Sequence, residues 1–142
     1  LINNFFEYKN DAGEKIIETR NLQAANFTNC IFDGNNNIEF IIDFFDGGGI
    51  FNYNISNSMI QFNDINNSYK DIGELDFTNP FYKNIILNGN SHFKNPQKNN
   101  YIIGEKSDAI DKAAASSYPE DLLGVDRTSN PDIGAYQHVV FE

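Results

Sequence analysis

The sequence predicts an all-β chain organised as a solenoid of short stacked strands, and three observations carry that expectation. Its 142 residues include 13 Phe and 7 Tyr, no Trp, abundant asparagine and little alanine or leucine. That mix favours strands and turns over long helices. The stretch FTNCIFDGNN (27–36) sets Asn29 inside an apolar run. Finally, Thr28-Asn29-Cys30-Ile31-Phe32 is matched position for position by Ser56-Asn57-Ser58-Met59-Ile60, 28 residues later. A period in the twenties with a polar corner suits stacked coils. A compact β-sandwich is the alternative. The solenoid needs residues 27–32 and 55–60 parallel and in register; the sandwich needs them antiparallel.

The corner resolves a conflict. Read straight, residues 26–34 put Phe27, Asn29 and Ile31 on one face and Thr28, Cys30 and Phe32 on the other, and neither face is clean. A left-handed Asn29 bends the chain and resets the two-residue alternation, a conformation that asparagine tolerates. Phe27 then points inward before the bend, and Cys30 and Phe32 after it. Asp33-Gly34 makes the next corner. Asn57 is expected to do the same, and Asn stacked on Asn is expected to bond along the stack.

The remaining elements follow in order. Ile2, Phe5 and Phe6 open an incoming coil, Asn10-Asp11-Ala12-Gly13 is a turn, and Ile16-Ile17 a short strand. Ile38, Phe40 and Ile42 alternate with Glu39, Ile41 and Asp43 before Gly47-Gly48-Gly49 breaks the run. Residues 63–80 are polar and read as an excursion loop ending near Pro80. Ile85-Ile86-Leu87 precedes the Asn88-Gly89 turn. Two short helices are expected in the tail: Asp108 to Ala115 after Ser107, and Pro119 to Gly124, with Pro at its start and Gly at its stop. DIGAYQHVVF reads as a last strand.

The formal net charge of -10 and the thin scatter of Lys and Arg exclude a nucleic-acid binder, which needs a basic surface. No run approaches the ~20 apolar residues of a transmembrane helix. One cysteine, Cys30, allows no internal disulfide and reads as a small buried hydrophobe. The chain starts at Leu1, which suggests a piece of a longer or processed polypeptide.

The tail resembles a known family. TNCIFDGNN (28–36), TNPFY (78–82), SDAIDKA (107–113), LLGVDRT (122–128) and PDIGAYQ (131–137) occur in the order and spacing found at the C-terminal end of bacterial right-handed parallel β-helix proteins. These have a pectin-lyase-like fold and belong to the choice-of-anchor Q group. The likeness spans about residues 26–137. Asp108 stands where that group has proline, Lys112-Ala113 replaces Ala-Gly, and Gln137 replaces glutamate. The group's DxxG carboxylate reads as displaced or absent before Gly124. The resemblance implies the last coils of a right-handed parallel β-helix and an extracellular or surface-attached bacterial setting. Residues 1–142 then form one domain, with coils and loops over 1–105 and a C-terminal cap over 106–142. An open stack exposes unpaired backbone, and the cap is expected to close it. Ile110, Leu122, Leu123, Ile133 and Tyr136 would be buried, with Asp111, Arg127 and Asp132 as structural pins.

Chemistry is sparsely signalled. The favoured expectation is a non-catalytic part that contacts glycans, with no required cofactor. The alternative is a polysaccharide lyase or glycosidase whose catalytic residues lie partly upstream. Tyr53, Tyr69 and Tyr82 are candidates to stack on sugar rings. Asp43 and Asp46, beside the triple glycine, are the best Ca²⁺ candidates, although calcium takes six to eight oxygens. Asp64, Asp71, Glu74 and Asp76 lie in the excursion loop, where a carboxylate pair would suit glycoside cleavage. His92 and His138 read as surface and structural, respectively. Asn26, Asn54 and Asn66 head N-x-S/T sequons, as expected by chance in so asparagine-rich a chain.

Overall fold

A computed structural model describes residues 1–116 and 118–141. It is all-β. The strands are β1 (Ile2–Asn3), β2 (Phe5–Lys9), β3 (Lys15–Thr19), β4 (Leu22–Thr28), β5 (Ile31–Phe32), β6 (Ile42–Asp43), β7 (Phe51–Ile60), β8 (Tyr82–Leu87), β9 (Phe93–Asn95) and β10 (Asn100–Ile103). Two 3-10 turns, Gly73–Leu75 and Pro96–Lys98, are the helical elements among the described residues.

The central sheet is parallel. Strand β7 lies in the middle, with β4 and β5 along one edge and β8 along the other. Phe27, Ile55 and Tyr82 share a rung; so do Ile31, Met59 and Ile86. The segments 27–32 and 55–60 therefore run parallel and in register, not antiparallel as the sandwich needs. The other sheets are small and mixed. Strand β1 pairs parallel with β6, while β2 with β3 and β9 with β10 form antiparallel hairpins.

Asn29 and Asn57 have φ of 58° and 45°, the left-handed region. A third corner, Asn84 (φ 54°), follows 27 residues after Asn57. The alternation resets as the residue pattern requires. Phe27 and Phe32, five apart, turn to one face and touch edge-on at 5.5 Å between centroids. Ile55 and Ile60 are both fully buried on that same face. Met59, next to Ile60, points the other way into a second cluster with Ile103, Ala109 and Ile133. The sheet thus has a core on each side.

The tail departs from expectation in three ways. Neither short helix forms. Asp111 is left-handed (φ 58°), and beyond it Ala113 donates to the Pro131 carbonyl at 3.0 Å, so residues 108–115 run irregularly. Residues 119–127 turn back on themselves, with Asp121 N–H on the Val125 carbonyl and Arg127 N–H on that of Pro119. Leu122 and Leu123 sit at the tip, 73% and 60% exposed, and anchor nothing, whereas Ile133 is fully buried. Finally, the tail lies along the flank of the sheet. Asp108 bonds the backbone of Asn90, beyond β8; the Lys112 carbonyl accepts from Asn57; Ala114 bonds Asn29. Counting β4–β5, β7 and β8 as first, second and third tiers of the parallel sheet, one segment therefore reaches the first, the second and the turn beyond the third. The Asn29 and Asn57 side chains serve the tail instead of bonding along the stack.

Candidate functional site

Two of the three proposed sugar-stacking rings are inside the protein. Tyr53 and Tyr82 are 6% and 7% exposed, in the core that holds Ile55 and Ile60. They occupy inward positions of parallel strands, so no ring face is free for a ligand. Burial pushes the Tyr82 hydroxyl far above its usual range, and it donates to the Glu74 carbonyl. Tyr69 is half-buried with its ring edge-on to Phe62, and it lines a groove of about 520 Å³.

That groove gathers Asp64, Asp71 and Asp76 with Lys70; Glu74 faces a separate pocket beside Tyr53. The loop uses two of these carboxylates for itself. Asp64 accepts the backbone N–H groups of Ser68 and Tyr69 at 2.9 and 2.8 Å, an Asx-type loop closure. Asp76 accepts both the hydroxyl and the N–H of Thr78, and the Thr78 hydroxyl holds its carboxyl below the usual range. A general acid at neutral pH needs the opposite shift. Asp43 and Asp46 are both exposed, and no group of three or more His, Cys, Asp or Glu suited to a metal occurs among the described residues.

Cys30 is half-buried, and burial pushes its thiol up, away from the reactive thiolate. His138 donates or accepts through Nδ1 at 2.8 Å from the buried Asp132. His92 has φ 48°, and its ring lies 5.2 Å from that of Phe141.

The three residues expected to pin the tail, Asp111, Arg127 and Asp132, make the following contacts. Asp132 is fully buried; it accepts from the Asp111 N–H at 2.9 Å and from the His138 N–H at 2.6 Å. Arg127 donates to the carbonyls of Gly134 and Asp132 at 3.2 and 2.7 Å, not to a carboxylate. Asp111 contributes its backbone and its left-handed φ. A carboxylate at the D-x-x-G spacing, expected to be displaced or absent before Gly124, is present as Asp121. Asp121-Leu122-Leu123-Gly124 is the motif, and Asp121 accepts from Leu123 N–H, Val125 N–H and Gln137 N–H at 2.7, 2.9 and 2.8 Å. Burial alone raises its carboxyl pKa, but these three donors and nearby Arg127 outweigh it and leave it lowered.

Sequence reasoning passed over a further cleft. Its volume is about 350 Å³, and Asp33, Asn35, Ser91, His92, Gln97 and Tyr101 are among its walls. An apolar groove of about 700 Å³ shares Asp33, Phe93 and Tyr101 with it and runs on along Phe27, Ile31 and Ala135. Three loops meet here: the corner after β5, the turn after β8, and the β9–β10 hairpin. Asp33 is fixed from two sides, by the Gly34 N–H at 2.8 Å and by the hydroxyl of buried Ser91. Tyr101 is 46% exposed, and the Phe93 ring braces it edge-on at 5.4 Å. The only sequence signal was Asp33-Gly34, which reads as a turn. Its partners lie about 60 to 70 residues away and are joined only by the fold.

Against models of protein families, curated proteins and solved structures, the chain gave no match.

Proposed function

We propose that this chain is a stretch of coils from a right-handed parallel β-helix, of the pectin-lyase-like choice-of-anchor Q kind, belonging to an extracellular or surface-attached bacterial protein. Its role is to contact glycans without catalysis. The carrying observation is the recurrence of left-handed asparagine at 29, 57 and 84, on parallel strands paired in register. That recurrence supports one backbone turn laid on the next. The five motifs between residues 28 and 137 support the family reading, and the D-x-x-G spacing at Asp121 adds to it. Glycan contact is supported by an exposed tyrosine set among amides and a carboxylate in a cleft of ligand size.

The lyase and glycosidase readings draw no such support. The excursion-loop carboxylates at Asp64 and Asp76 are engaged by their own loop. One assay separates the readings. The protein is run through native gels containing neutral polysaccharides and is incubated with a panel of uronic-acid polymers. Retarded migration with no ultraviolet-absorbing unsaturated product is the expected result. Release of unsaturated sugar would establish the lyase instead, and neither effect would remove the glycan reading.

A further inference from the structure

We infer that the Asp33–Tyr101 cleft is a binding site for a neutral, hydroxyl-rich glycan. This rests on the glycan reading above and assigns it a place and a ligand class. Sugar recognition needs an apolar platform for the ring face and directional acceptors and donors for the hydroxyls. The cleft supplies both. Tyr101 presents an exposed ring held in place by Phe93, and Asp33 lines the same cleft. The Gly34 N–H and the Ser91 hydroxyl orient the Asp33 carboxylate, yet an ionised carboxylate has about four acceptor positions, so accepting capacity remains for sugar hydroxyls. Gln97, exposed on the 3-10 turn, adds an amide that can donate and accept.

Charge sets the class. Among the described residues, Asp33 is the only Asp, Glu, Lys or Arg on the walls of either connected groove. A uronate would meet that carboxylate with no Lys or Arg on those walls to neutralise it, on a protein of net charge -10. A neutral sugar meets no such penalty. The apolar groove running on from Tyr101 extends the platform, so a chain of sugars fits the surface better than a single one.

The test compares wild-type protein with Tyr101→Ala, Tyr101→Phe and, as a control on the β2–β3 hairpin away from both grooves, Tyr8→Ala, in gels containing a soluble neutral β-glucan, a neutral mannan or polygalacturonate. Melting curves check that each variant is folded. Wild type is expected to be retarded by a neutral polymer and not by polygalacturonate. Tyr101→Ala is expected to weaken binding about tenfold, the scale of a truncated aromatic anchor, while Tyr101→Phe and Tyr8→Ala retain it. Retardation of wild type that Tyr101→Ala leaves intact would overturn the placement but keep the glycan reading. Preference for polygalacturonate would overturn the ligand class. No retardation of wild type by any polymer would overturn both readings.

Discussion

At the scale of single residues, asparagine does two separate jobs. One is conformational: Asn29, Asn57 and Asn84 take a left-handed backbone that alanine adopts only at a cost of about 1–2 kcal/mol. The other is to imitate backbone. The Asn29 amide both donates to the Ala114 carbonyl and accepts from its N–H, at 2.9 and 2.8 Å. Asn4 does the same to Phe45, and Asn88 to Phe62. Each side chain thus completes a two-bond bridge where no strand is available. Asn29 carries both jobs. Replacing it with alanine is expected to cost about 3 kcal/mol, about 1 for the backbone and about 1 for each bond. Asn29→Gly keeps the backbone and is expected to recover about 1 kcal/mol. Urea titration measures both, and equal losses in the two variants would defeat the conformational half of the account. Asn84 is exposed, so Asn84→Ala is expected to lose only the backbone term.

Asp121 is the second residue whose contribution is measurable. Its carboxyl pKa is lowered in the folded state. The stability it provides is therefore present above the unfolded carboxylate value of about 3.9 and is lost as pH falls through the folded pKa. Asp121→Asn leaves one acceptor oxygen for three donors. That variant is expected to be less stable at neutral pH and to show a shallower loss on acidification below about pH 4. Parallel acid-melting curves for the two proteins would contradict this.

Among elements, the tail shows most clearly what the sequence could and could not convey. The corners at Asn29 and Asn57 were legible because a polar residue in an apolar run is a local contradiction with a local solution. Asn84 went unnoticed because Lys83-Asn84 precedes an apolar run that already reads as a strand. The tail helices were misread for a different reason. Asp111-Lys112-Ala113-Ala114-Ala115 has helical propensity, but Asn29, Asn57 and Pro131 draw its backbone into other hydrogen bonds. No window of local sequence contains those partners. The Asp33–Tyr101 cleft was invisible on the same grounds. Arg127 tests the tail's docking. It joins the carbonyls of Asp132 and Gly134, so Arg127→Ala is expected to remove about 2 kcal/mol and lower the melting temperature by about 4–8 °C. Lysine has no planar fork to span both carbonyls, so Arg127→Lys is expected to restore little. A melting temperature within a degree of the parent would show the contacts to be incidental.

Over the whole molecule, the course of the tail changes how stability is shared. In a simple stack each tier touches only its neighbours, so an edge tier can fray without the rest. Here the tail bonds the first tier at Asn29, the second at Asn57 and the loop beyond the third at Asn90. It also buries Ile133 and Ala109 against Met59, on the face opposite the aromatic core. Opening the first tier must therefore release the tail, and releasing the tail uncovers the second core. The β2–β3 hairpin has no such tie. Strand β2 is largely exposed and β3 only half-buried, and the ion pairs Lys15–Glu7 and Arg20–Glu18 lie in solvent where they contribute little. Native-state hydrogen exchange should divide the chain accordingly. Amides of Met59 in the middle tier, of Ala114 and Ile133 in the tail, and of Asn29 in the edge tier are expected to exchange with one shared opening free energy. Hairpin amides from Phe6 to Lys9 are expected to exchange well before them. If Ala114 exchanged with the hairpin while Met59 remained protected, the tail would be a detachable strap, and the tiers would owe their stability to each other alone.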